Sequence, residues 1–81
     1  MGFLPFDILS LRTTPLGVER IRRNLNIQNK DVDIVGLIRD MILDDNAIAE
    51  RRGKNWYIIS GGCIITVNAS SLTIITAHIK P

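Results

Sequence analysis

Gly61-Gly62 stands between two six-residue runs, Asn55–Ser60 and Cys63–Asn68, that are rich in Trp, Tyr, Ile, Val and Thr. Consecutive glycines accept the positive φ angles of a two-residue hairpin turn, while β-branched and aromatic neighbours favour extended backbone. The pair therefore predicts an antiparallel hairpin and, with it, a register. Ser60 opposes Cys63, Ile58 opposes Ile65 and Trp56 opposes Val67 on one face. Asn55, Tyr57, Ile59, Ile64, Thr66 and Asn68 share the other. The first face is apolar enough to lie under a core, with Trp56 as its anchor. The second mixes hydrogen-bonding groups with isoleucine and suits a binding surface or the inside of a dimer.

Strand-like composition extends in both directions from this hairpin. Ala47 to Arg51 reads as a weak first strand, Arg52-Gly53 as a turn, and Leu72 to Ile79 as a fourth strand reached through a tight Ala69-Ser70 turn. Asn68 fixes that turn by bonding its own neighbouring backbone. The register puts Leu72 and Ile74 on the first face and Ser71, Thr73 and Ile75 on the second. A one-residue slip reverses the fourth strand, so His78 has no assigned side.

Upstream, the apolar period is that of helices. Thr14 caps and Pro15 opens a helix to about Leu25, with Val18, Ile21 and Leu25 on one face and Arg20 and Arg23 on another. Residues 26–30 read as a linker. Asp31 caps a second helix to about Leu43, where Ile34, Val35, Ile38, Met41 and Ile42 form a wide apolar stripe and Gly36 permits close packing. The first twelve residues, with Phe3, Leu4, Phe6, Ile8, Leu9 and Leu11, form an arm or a short helical turn. Residues 13–45 are then the helical part and 47–79 an antiparallel sheet of three or four strands, within one domain spanning 1–81. Two helices followed by a meander, without βαβ alternation, define an α+β fold with both helices on one sheet face.

Composition narrows the function classes. At 81 residues and 46% hydrophobic content the chain is no disordered segment, but its single core is small. The longest uncharged stretch, Asn55 to Ile79 apart from its polar interruptions, is broken by Ser60, Gly61, Gly62, Asn68, Ser70 and Ser71 and is no membrane span. One cysteine, Cys63, excludes an internal disulfide, and with one histidine it supplies no structural zinc cluster. A cytoplasmic setting, without targeting signal, metal or other cofactor, is expected. The net charge of +2 hides a partition. Residues 31–50 hold six of the eight acidic groups, and no carboxylate follows Glu50. An anionic partner meets no repulsion in the last third of the chain.

The phrases Thr13-Thr14-Pro15-Leu16-Gly17, Arg20-Ile21, Asn24-Leu25, Gly53-Lys54-Asn55-Trp56-Tyr57, Ile65-Thr66-Val67-Asn68 and Thr73-Ile74-Ile75-Thr76-Ala77-His78 resemble one small bacterial family of unassigned function, over nearly the whole chain. That resemblance implies no activity. In layout the chain is also similar to the ribonuclease superfamily of barnase, EndoU, colicin nuclease domains and RelE toxins, which implies an RNA-directed role by fold analogy.

Metal-independent RNA cleavage needs a base, a stabiliser of phosphate charge and an acid. Histidine is the side chain suited to proton transfer near neutrality, and His78 is the one candidate. Arg51, Arg52 and Lys54 suit phosphate, and Asn55, Tyr57, Thr66, Asn68, Ser71 and Thr76 offer hydrogen bonds. The plainer account makes His78 a solvated strand residue and Arg51-Arg52 a solvated hairpin tip. Cys63 and Ser70 lack the context of a nucleophile. Two functions survive: an RNA-directed binding protein or toxin-like ribonuclease, and a non-catalytic module whose Ile59, Ile64 and Ile75 bury against another protein or a second copy in a homodimer.

Overall fold

The computed structural model describes residues 4–81, so Phe3 of the expected arm lies outside the described residues. A short 3-10 turn, Ile8–Ser10, precedes helix α1, Pro15–Asn24, and helix α2, Ile34–Leu43. Four strands follow: β1 (Ile48–Arg52), β2 (Asn55–Ser60), β3 (Cys63–Asn68) and β4 (Ile74–Ile79). They form one antiparallel sheet in the order β1-β2-β3-β4, as the α+β reading requires.

Each helix begins where a side chain satisfies a free backbone N–H. Thr14 Oγ1 accepts from the Gly17 N–H at 3.0 Å, with Pro15 in the first turn. In α2 the cap is Asp33, accepting from the Gly36 N–H at 3.1 Å, and not Asp31. The reason is local. Asp31 donates its backbone N–H to Asn29 Oδ1, and Val32 donates to the Asn29 carbonyl, so a turn closes before the helix can start. Arg22 fixes this linker to α1 by donating to the carbonyls of Asn29, Lys30 and Val32. Gly36 leaves room for the Asp33 carboxylate of its own cap, so its small size serves the helix start.

The central hairpin has the expected register, with Gly61 and Gly62 at φ +56° and +77°. The β1–β2 turn is Gly53-Lys54 in place of Arg52-Gly53, Gly53 taking the positive φ, and β1 shifts one residue along the chain. A wider loop over 69–73 replaces the tight Ala69-Ser70 turn. Asn68 Oδ1 accepts from the Ser70 and Ser71 N–H groups, Leu72 adopts φ +57°, and β4 starts at Ile74 instead of Leu72.

The consequence of that loop is a bulge. Val67 pairs with Ile74 but Thr66 pairs with Thr76, leaving Ile75 as the extra residue. The bulge reverses the parity of β4. Ile74 and Ala77 both face the core, while Thr76 and His78 stand opposite Thr66 and Ile64 on the outer face.

The core is a layer of isoleucines between helices and sheet. Ile21 of α1 and Ile34, Ile38 and Ile42 of α2 meet Ile58, Ile65, Val67, Ile74 and Ala77, and Leu11 closes one end. The Ser60 hydroxyl, buried at the end of β2, donates to the Met41 carbonyl in the last turn of α2 at 2.6 Å. Trp56 packs on this layer, with the Phe6 ring centroid at 5.9 Å and the Arg51 guanidinium at 5.7 Å from its ring. The chain before α1 lies along β4: Arg12 bridges Thr73 in parallel, the Ile74 N–H donates to the Arg12 carbonyl, and Thr13 Oγ1 donates to the Ile74 carbonyl. Among the described residues no helix is long and apolar enough to cross a membrane.

Candidate functional site

With the helices on the inner face, the outer face of the sheet is left to solvent. Antiparallel partners share a face, so its side chains stand in rows across the strands. One row is Ile48, Ile59, Ile64 and His78. The next is Glu50, Tyr57, Thr66 and Thr76, and the third is Arg52, Asn55 and Asn68. Glu50 is the one carboxylate in these rows.

The proposed nucleic-acid ligands separate once their positions are known. Arg52 lies over the Tyr57 ring, its guanidinium carbon 4.3 Å from the ring centroid, and Lys54 occupies the hairpin tip beside it. Arg51 instead turns to the inner side, stacks on Trp56 and donates its Nε to the Gly53 carbonyl at 2.8 Å. Asn68 and Ser71 are engaged in holding the 69–73 loop, Ser71 Oγ lying 3.2 Å from Asn68 Oδ1 and 2.8 Å from Thr73 Oγ1. Thr66, between Tyr57 and Thr76, is only 8% exposed. Asn55 is half-buried, and its Oδ1 is buried without a hydrogen-bond partner.

His78 is half-buried at the far corner of the same face. Three strand spacings, about 14 Å, and four residues of strand, about 13 Å, separate its position from that of Arg52. The two ends are thus about 20 Å apart, too far for His78 and the basic hairpin to act on one phosphodiester.

Two residues outside the expected ligand set reach the His78 corner. The Arg20 guanidinium donates to the carbonyl of the bulged Ile75 at 3.4 Å, and Asn24 Nδ2 donates to Thr76 Oγ1 at 3.1 Å. Their spacing of four puts both on one side of α1, which packs along β4. The separation of Arg20 from the apolar stripe is legible in the sequence. Its meeting with β4 is a tertiary fact that helical period alone does not contain.

Among the described residues no group of three or more His, Cys, Asp or Glu side chains could hold a metal ion. Cys63 is a free, half-buried thiol at the start of β3. The chemistry available on this face is therefore stacking, hydrogen bonding and cationic attraction, with one imidazole.

Comparison with curated proteins and with solved structures finds no match in either set. A family model described as protein of unknown function (DUF3781) matches residues 7–78, which runs from the cap of the 3-10 turn to His78 of β4, and the chain belongs to that family.

Proposed function

We propose that the outer sheet face binds a segment of single-stranded RNA. The observation that carries this reading is the Arg52–Tyr57 stack at 4.3 Å, a planar platform on the outer face, where Arg52 Nε also lies 3.9 Å from Glu50 Oε1 in an exposed ion pair that a phosphate has to displace. Bases stack on tyrosine rings and on guanidinium planes alike, each stack contributing roughly 1–3 kcal/mol. Asn55 and Thr76 flank the platform with hydrogen-bonding groups, and Lys54 adds charge at the tip.

The reading is one of binding, because His78 and the basic hairpin lie at opposite corners of the face. Fluorescence anisotropy with a short labelled oligouridine tests it. Affinity is expected to fall steeply as salt rises, and Tyr57→Ala to weaken binding about tenfold or more. Binding that ignores both salt and Tyr57→Ala would sink the proposal. If the RNA is instead cut in EDTA by the wild type and left intact by His78→Ala, the face is that of a ribonuclease.

A second reading has its own observation. Ile48 and Ile59, 64% and 37% exposed, continue into Ile64 as an apolar row, the kind of surface a protein partner or a second copy would cover. Ile59→Asp separates the two readings. It abolishes a protein contact there and leaves oligouridine affinity within a few fold.

A further inference from the structure

The junction of α1 with β4 concentrates hydrogen-bond donors whose directions are set by the fold. The bulge at Ile75 turns Thr76 and His78 outward, about 7 Å apart along the strand. The same bulge offers its carbonyl to Arg20 Nη1 at 3.4 Å, which uses one of the five guanidinium N–H groups. Asn24 donates to Thr76 Oγ1, so that oxygen already accepts a hydrogen bond and its own proton is left to give to something else. Among the described residues that proton meets no acceptor, and the His78 side chain makes no hydrogen bond. Arg20 and Asn24 are exposed and Thr76 and His78 half-buried, so all four groups are within reach of a ligand.

Among the described residues, no Asp or Glu side chain stands beside Thr76 and His78 in their rows. Glu19, beside Arg20 in the chain, points about 100° around the helix and lines a separate groove with Arg22, Arg23 and Lys30. Glu50 is in the row of Thr76 but three strands away. A cation with adjacent neutral donors and no acid matches the needs of a phosphate group. β-Bulges are over-represented beside binding sites because they re-aim side chains in this manner.

We propose that this corner binds one phosphate of an RNA backbone, with Arg20 as the cation, Thr76 and His78 as hydrogen-bond donors, and Asn24 as the positioning residue for the Thr76 hydroxyl. The proposal rests on the RNA reading of the outer face. Thr76 is two strand spacings, about 10 Å, from Tyr57 in the same row, so one strand can engage both.

Two measurements separate this corner from the stacking platform. In the oligouridine assay, Arg20→Gln is expected to weaken binding and to lower the slope of log affinity against log salt by about 0.7, the signature of one lost phosphate contact on a single strand. Tyr57→Ala is expected to weaken binding with the slope unchanged. If Arg20→Gln leaves affinity and slope at wild-type values while Tyr57→Ala weakens binding, the corner is no phosphate site and the RNA reading stands. The second measurement uses inorganic phosphate alone, titrated against chloride at matched ionic strength and followed by amide NMR of the full chain. Shifts are expected at residues 75–78 and at the Asn24 side-chain amide, and their loss in Arg20→Gln. No shift there overturns the proposal, whatever the RNA result. Phosphate shifts without any oligouridine binding retain the anion site and remove the RNA reading. Thr76→Ala serves as a second variant, each protein's fold being checked by its amide spectrum before titration.

Discussion

Asn55 holds a buried acceptor that the fold leaves without a partner. A buried acceptor without a partner carries an unrecovered desolvation cost of about 1–3 kcal/mol. Asn55→Thr removes the carboxamide and supplies a β-branched residue suited to a strand. The variant is expected to match or exceed the wild type in thermal midpoint. A lower midpoint would mean that the carboxamide is structural. Asn68 makes the contrast. Its Oδ1 accepts from Ser70 and Ser71, so Asn68→Ala is expected to lower stability by about 1–2 kcal/mol in denaturant titration. The structural role of Asn68 is legible in the sequence because it is local: an Asn before Ala-Ser-Ser bonds its own turn. The orphaned state of Asn55 is not, since it depends on what Arg52 and Asn68 place around it.

The elements were legible where their determinants lie close in sequence. Gly61-Gly62 sets the central register by itself, and Thr14-Pro15 sets the start of α1. The cap of α2 was not, because Asp31 and Asp33 are equivalent as caps until the turn closed by Asn29 chooses between them. The bulge left a trace in β4 that strict alternation overlooks. Apolar Ile74 has one parity, and apolar Ala77 and Ile79 have the other, so a regular strand cannot bury both Ile74 and Ala77. Deleting Ile75 brings Ile74 and Ala77 to a spacing of two, so a regular ladder keeps Val67 opposite Ile74, Thr66 opposite Thr76 and Ile65 opposite Ala77, with both Ile74 and Ala77 still facing the core. The deletion is therefore expected to leave a cooperative thermal transition while removing the carbonyl to which Arg20 donates. Loss of that transition would show that the fold needs the bulge itself and not only the facing of Ile74 and Ala77. Between the layers, Ser60→Ala removes the 2.6 Å bond to the Met41 carbonyl, which also accepts from the Asp44 N–H at 3.3 Å, and about 1 kcal/mol of stability is expected to be lost, read by denaturant titration.

Across the whole molecule, the question is whether the outer face is large enough to serve a second copy. Four strands at about 4.8 Å spacing and six residues at about 3.3 Å give a flat footprint of about 400 Å², before side-chain relief is counted. A stable protein interface buries about 800 Å² of accessible surface from each partner, more than a footprint of this size provides without the surrounding loops. The free edge of β1 does not make up the difference. Its strand is exposed throughout and carries Glu50, Arg51 and Arg52, and the register that pairs the strand fully with itself sets Glu50 against Glu50. Single-stranded RNA makes a smaller demand on area, since each stacked base and each phosphate contact adds affinity separately. The protein is therefore expected to sediment as a monomer at micromolar concentration and to remain one as salt rises. A dimer strengthened by salt would identify the Ile48–Ile59–Ile64 row as its seam, because apolar association gains where phosphate binding loses. Such a dimer would bury Tyr57 and Thr76 along with the isoleucines, and the same experiment repeated with oligouridine would then show RNA and self-association competing for one face.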